Sequence, residues 1–181
     1  GIRDAQESRG LGMCIRDSFH AWLEERFGLQ GSFDELLAAE TSELDEQVAD
    51  LEFRRLCRAF ERGQFAERIP LAVERDFVLV LNDPELGADE LPGPDQQLLV
   101  RGRIDAIYPA EGEHDYLIID WKTSNAPADP LQLSMYRLAW SQIMSVEPQR
   151  VDVAFYHVAA DRIERPRKLP DATRLWGLLL N

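Results

Sequence analysis

Tyr116-Leu117-Ile118-Ile119-Asp120-Trp121-Lys122 is an apolar run that ends in two charges around an indole, and its reading decides the fold of this chain. A short run rich in Ile, Leu and aromatic residues reads as a strand. Side chains alternate between the two faces of a strand, so Ile118, Asp120 and Lys122 share one face and Leu117, Ile119 and Trp121 the other. Fifteen positions earlier, Gly102-Arg103-Ile104-Asp105-Ala106-Ile107 also reads as a strand, with Arg101, Arg103 and Asp105 on one face. If the two strands pair, Asp105 and Asp120 converge, and Lys122 points at the same place. Two carboxylates and an amine arranged in this way suit a divalent cation and the oxygen that it polarises.

Outward from these strands the chain alternates helices and strands. Phe19, Trp22, Leu23 and Phe27 recur at helical spacing before Gly28, which suits a helix stop. Ser32-Phe33-Asp34-Glu35 has the form of a capping box that introduces a short helix. A longer helix is expected over residues 46–62, with Leu51, Phe53, Leu56, Cys57 and Phe60 as its stripe and Gly63 as its stop. Strands are expected over 71–81, 97–108 and 116–122, the first two separated by an acidic Pro/Gly loop and the last two joined as a hairpin. A helix over 130–144, a strand over 151–158 and a final helix near 171–180 follow. Helix, three strands, helix, strand is an α/β order: one sheet covered by helices.

Five elements in this order resemble the PD-(D/E)xK nuclease superfamily, and in particular the RecB-like nuclease domains fused to superfamily 1 DNA helicases. Beside Asp105 and Asp120-Trp121-Lys122 they are a helix-borne His20, an acid on the first strand at Glu74, and Gln132-Leu133-Ser134-Met135-Tyr136. The segment from Gln132 to Trp140 is most similar to actinobacterial helicase-nucleases of the AdnA, AdnB and UvrD-like group. The resemblance implies a restriction-endonuclease-like core with a mixed sheet. It also implies a divalent-metal-dependent deoxyribonuclease, exonucleolytic and tethered to an ATP-dependent helicase in double-strand-break repair. His20, Asp105, Asp120 and the backbone carbonyl of Trp121 would hold Mg²⁺ or Mn²⁺. Glu74 would be a further metal ligand or an acceptor behind one, Lys122 would orient the attacking water or stabilise charge on the phosphate, and Gln132 and Tyr136 would bind DNA. The implied partners are DNA, the helicase part of the parent chain and a second helicase-nuclease subunit.

The 181 residues, 45% of them hydrophobic, fit one globular domain, expected over 19–181 as a fragment of a larger helicase-nuclease. Residues 1–18 do not match the family and are expected to be a non-native leader. No run approaches the ~20 apolar residues of a membrane span, and no signal peptide opens the chain, so a cytoplasmic protein without a membrane partner is expected. Cys14 and Cys57 are too few for a zinc or disulfide framework. They are also too few for the four-cysteine iron-sulfur cluster of some helicase-nucleases, and none is expected.

Net charge is −13, with 20 Lys and Arg against 33 Asp and Glu. Non-specific DNA affinity comes from cations that neutralise phosphates, so the charge argues against a free-standing DNA binder and for a tethered domain. Two other readings are a catalytically silent nuclease fold that guides DNA or binds a protein, and a free-standing Cas4-like or restriction-type nuclease. The intact acids and Lys122 weigh against the first, and the missing cysteines and acidic surface against the second.

Overall fold

The computed structural model describes residues 15–27, 43–87, 90–124 and 127–180. In chain order the elements are α1 (15–26), α2 (Glu43–Arg62), β1 (Ala72–Asn82), β2 (Gln97–Pro109), β3 (Tyr116–Lys122), α3 (Pro130–Met144), β4 (Val151–His157), β5 (Arg162–Glu164) and α4 (Ala172–Leu180). β3 and α3 occupy their expected spans to the residue, and the other expected strands and the last helix agree within one. α2 begins at Glu43, three residues before its expected start at 46, because an apolar stripe marks where a helix packs rather than where it starts. Gly28, the capping box at 32–35 with the helix after it, and residues 1–14 lie outside the described residues. Residues 15–18, expected as leader, are helical, and Ile15 is buried in the same core as Phe19.

The α3 boundaries have local causes. Asp129 caps the start by accepting from the Leu131 N–H at 2.9 Å, with Pro130 in the first turn, where its missing N–H costs nothing. Ser145 ends the helix in the left-handed region at φ 55°.

The five strands form one mixed sheet in the order β1-β2-β3-β4-β5, antiparallel throughout except for the parallel β3–β4 pair. That parallel pair is joined through α3, and both strands are covered on both faces, as such pairs require. On one face Leu117, Ile119, Trp121, Ala154 and Tyr156 pack under α1 and α2, through Phe19, Leu23, Leu56 and Phe60. On the other, Ile118, Val153 and Phe155 pack under Leu133, Tyr136 and Trp140 of α3 and Leu175 and Trp176 of α4. No described helix is long and apolar enough to cross a membrane.

Alternation breaks at one place. Ile104 is buried in the α3–α4 layer and Ala106, two residues on, in the α1–α2 layer; on β1, Phe77 and Val73 divide in the same way. Strict alternation would put each pair on one face. The β1–β2 register is unchanged across the break, from Arg75↔Ile104 to Val73↔Ala106, with Glu74 and Asp105 left out of the ladder between them. Glu74 has φ 46°, a region uncommon for a residue with a side chain and costing about 1–3 kcal/mol. The expected common face of Arg101, Arg103 and Asp105 therefore does not extend through Asp105 as simple alternation would have it.

Two side-chain contacts tie the periphery down. On the free edge of β1, Gln142 of α3 accepts from the Val80 N–H at 3.1 Å and donates to the Val80 carbonyl at 2.7 Å. After α2, the Tyr156 hydroxyl and the Gln64 N–H both donate to Asp161 Oδ1, at 2.7 and 3.0 Å, across the backbone of Gly63. A Cβ at Gly63 would lie 2.2 Å from the Tyr156 hydroxyl, whose ring is fully buried and has nowhere to go. Gly63→Ala is therefore expected to lower stability by about 1–3 kcal/mol, read as a fall in Tm. Gly177→Ala, where a Cβ meets nothing within 4 Å, should raise it by about 0.5–1 kcal/mol; equal shifts for the two would rule out the packing argument.

Candidate active site

The site lies where β2 and β3 part. Their ladder runs from Pro109↔Tyr116 to Ala106↔Ile119 and stops, while β3 continues beside β4 to Lys122↔His157. At the parting, Asp105 turns its carboxylate into the gap and accepts the Trp121 N–H on Oδ2 at 2.9 Å, a side-chain bond in place of a strand bond. Trp121 itself cannot shift easily. Its indole is buried on the opposite face among Phe60, Phe65, Tyr108 and Tyr156, with ring centroids 5.3–6.3 Å away. Because Trp121 is anchored there, Asp120 and Lys122 on either side of it must face the gap.

A cavity of about 700 Å³ opens at this point, lined by His20, Glu74, Asp105, Asp120, Lys122, Gln132 and Tyr136. All the side chains expected at the site are thus brought together, and Trp121 lines the same cavity. Among the described residues, the group whose ligand atoms meet closely enough to hold a metal does not include Asp120. His20, Glu74 and Asp105 each offer a ligand atom, with all three atoms within 4.8 Å of one another. The His20 Nδ1–H donates to Glu74 Oε1 at 2.5 Å, and Nε2 faces Asp105 Oδ2 at 3.8 Å. Asp120, 2% exposed, instead lies 2.7 Å from the Lys122 ammonium. Lys122 also donates to Gln132 Oε1 at 3.3 Å, and Gln132 Nε2 donates to the Tyr136 hydroxyl at 2.7 Å. Gln132 and Tyr136 therefore hold Lys122 as well as lining the cavity.

The electrostatics suit a cation. Burial and then the charge of Asp120 push the Asp105 carboxyl up to about 7, against the pull of His20 and the Trp121 N–H. Burial also raises Asp120, with Lys122 opposing. Burial by itself would lower His20, but its bond to Glu74 and the charges of Asp105 and Glu74 outweigh that and leave it raised. Two buried acids that resist ionisation gain from a positive charge placed between them. His20 Nε2, buried without a hydrogen-bond partner, supplies an unused nitrogen donor. One imidazole with hard carboxylate oxygens is a donor set that suits a divalent cation.

A family model described as the PD-(D/E)XK nuclease superfamily matches residues 17–175. The chain belongs to that superfamily. The match takes in every site residue above. A curated relative, Gene 69 protein of Mycobacterium phage D29, is 35% identical over 77 residues, which is 42% of this chain and 28% of the phage protein. The chain thus spans little more than a quarter of that relative.

Glu24 is the site residue that sequence reasoning missed. It lines the cavity one helical turn after His20, and burial, followed by the charge of Glu74, raises its pKa. Its i, i+4 spacing from His20 was the available signal.

Neutralising Asp105 should separate stability from metal binding. Asp105→Asn keeps an acceptor for the Trp121 N–H and removes a buried charge held against Asp120. The cation-free variant should melt higher than wild type, by about 2–4 °C for each ~1 kcal/mol of repulsion relieved. Wild type alone should gain Tm on titration with MnCl₂; an equal gain in Asp105→Asn would exclude Asp105 as a ligand.

Proposed function

We propose that this chain is a divalent-metal-dependent deoxyribonuclease domain that hydrolyses DNA exonucleolytically while tethered to an ATP-dependent helicase in double-strand-break repair. The observation that carries the reading is the convergence of His20, Glu74 and Asp105 with the Asp120–Lys122 pair in one cavity, in a chain of the PD-(D/E)XK superfamily.

In this reading His20, Asp105, Asp120 and the Trp121 carbonyl hold Mg²⁺ or Mn²⁺. A cation held there would neutralise phosphate charge and supply an activated water. Glu74 acts from behind, since its carboxylate takes the His20 Nδ1–H and leaves Nε2 free. Lys122, set between Asp120 and Gln132, stabilises charge that builds on the phosphate oxygens. Gln132 and Tyr136 fix the ammonium and border the path of the DNA.

Tethering rests on charge. At −13 the chain as a whole repels a phosphate backbone, and a helicase that grips DNA would overcome this by raising local concentration. Cytoplasmic location and a second helicase-nuclease subunit belong to the same proposal.

On linear DNA with Mn²⁺ or Mg²⁺, Asp120→Ala should lose at least about 10³-fold in rate, because a ligand and the cation's activation of water go together. Lys122→Ala should cleave slowly yet keep the Mn²⁺-induced rise in Tm. Undiminished cleavage by a clean Asp120→Ala preparation would remove these residues from the chemistry.

Charge also sets an expectation for binding. In a salt-controlled titration with Ca²⁺ in place of the catalytic ion, the isolated chain should bind DNA more weakly than the ~10⁻⁴–10⁻⁶ M typical of non-specific binders at physiological salt. Micromolar affinity would take away the physical ground for a tether.

A further inference from the structure

The cavity holds four cations, Arg16, Arg101, Arg103 and Lys122, in a chain with a large excess of acids. Three of them are engaged. Arg103 donates to Asp76 at 2.9 Å and lies 3.8 Å from Glu74; Lys122 is held by Asp120 and Gln132; Arg16 is 3.9 Å from Asp17. Arg101 is exposed and, among the described residues, makes no hydrogen bond or ion pair. Among the described residues, Arg101 is thus left without the ion pair that each of the other three makes.

Its place on β2 suggests a use. Arg101 precedes Asp105 by four residues, about 13 Å along the strand at ~3.3 Å per residue. Over that stretch β2 is paired with β1 but not with β3, so Arg101 stands on the open side of the gap. Next to it, Gly102 has no side chain of its own, and the Phe77 ring fills the space where a Cβ would stand, 2.7 Å from Phe77 Cζ. By alternation Gly102 and Phe77 lie on one face of the pair, and Arg101 shares the other with Arg103, from which both line the cavity. A nucleic acid strand that sets one phosphate at Asp105 and Asp120 and runs along β2 carries a neighbouring phosphate past Arg101.

We propose that Arg101 is a phosphate-binding residue that takes a backbone phosphate flanking the scissile one and so fixes the path of the DNA along β2. The proposal rests on the nuclease reading above and adds a substrate contact to it. A planar fork of donors suits a phosphate's paired oxygens better than a point charge does. The contact ignores base identity, so it should act on all sequences alike.

The test is steady-state cleavage of a short single-stranded oligonucleotide by the full 181-residue chain with Mn²⁺, at several salt concentrations. Wild type is compared with Arg101→Ala, Arg101→Lys and Arg174→Ala, the last removing an exposed cation outside the cavity. Arg101→Ala should raise KM about tenfold, the loss of one charge-assisted hydrogen bond, with kcat and the Mn²⁺-induced Tm gain unchanged. Its log KM against log salt should flatten by about 0.7, one single-strand phosphate contact. Arg101→Lys should recover part of the KM, and Arg174→Ala should match wild type. Unchanged KM and salt slope in Arg101→Ala, an equal loss in Arg174→Ala, or a fall in kcat at constant KM would each overturn the assignment while leaving the nuclease reading intact. A wild-type chain that folds, binds Mn²⁺ and does not cleave would overturn both.

Discussion

Everything at this site depends on one substitution of partners: the Asp105 carboxylate takes the Trp121 N–H that a neighbouring strand would otherwise hold. Without it, parting β2 from β3 would leave a backbone donor unsatisfied in a largely buried place, at a cost of about 1–3 kcal/mol. With it, the gap is an allowed structure. The same bond uses one oxygen of Asp105 for architecture, so fold and site share a single side chain. Trp121 completes the arrangement from below, because its indole among Phe60, Phe65, Tyr108 and Tyr156 fixes the phase of Asp120 and Lys122. The parallel neighbour β4 holds that segment straight.

The acids around the gap are held under mutual repulsion and poor solvation, and the rest of the molecule bears that cost. Two aromatic-rich layers, one on each face of the sheet, bury the central strands almost completely. Glu74 carries a further share in its positive φ, which turns its carboxylate onto His20 rather than along the ladder. Strain, buried charge and an unused imidazole nitrogen all fall within a few ångströms, where a cation would relieve two of the three.

Much of this was legible because it is local. Asp120 and Lys122 share a face by period two, Gln132 and Tyr136 by one helical turn, and the Asp129-Pro130 start of α3 is written in two residues. β5 was not legible: Arg162-Ile163-Glu164 has neither length nor alternation, and it pairs only because the turn through Asp161 returns the chain to β4. The break at Glu74 and Asp105 escaped for a deeper reason. Alternation is a rule about one strand, whereas this distortion is shared by two strands at matched positions, so neither segment signals it alone. The path from Tyr136 through Gln132 to Lys122 likewise needs the distance between α3 and β3, which no spacing encodes.

Gln142 has a consequence away from the chemistry. β1 ends the sheet, and an outer strand with free N–H and C=O groups invites a second chain to add itself as the next strand. The Gln142 amide has the same donor and acceptor as a peptide unit, and it occupies both groups of Val80, close to the exposed Val78 and Leu99 of the β1–β2 hairpin. The helix thereby supplies a one-residue counterfeit of a neighbouring strand, and at that point of the edge a second chain has no free backbone groups to pair with.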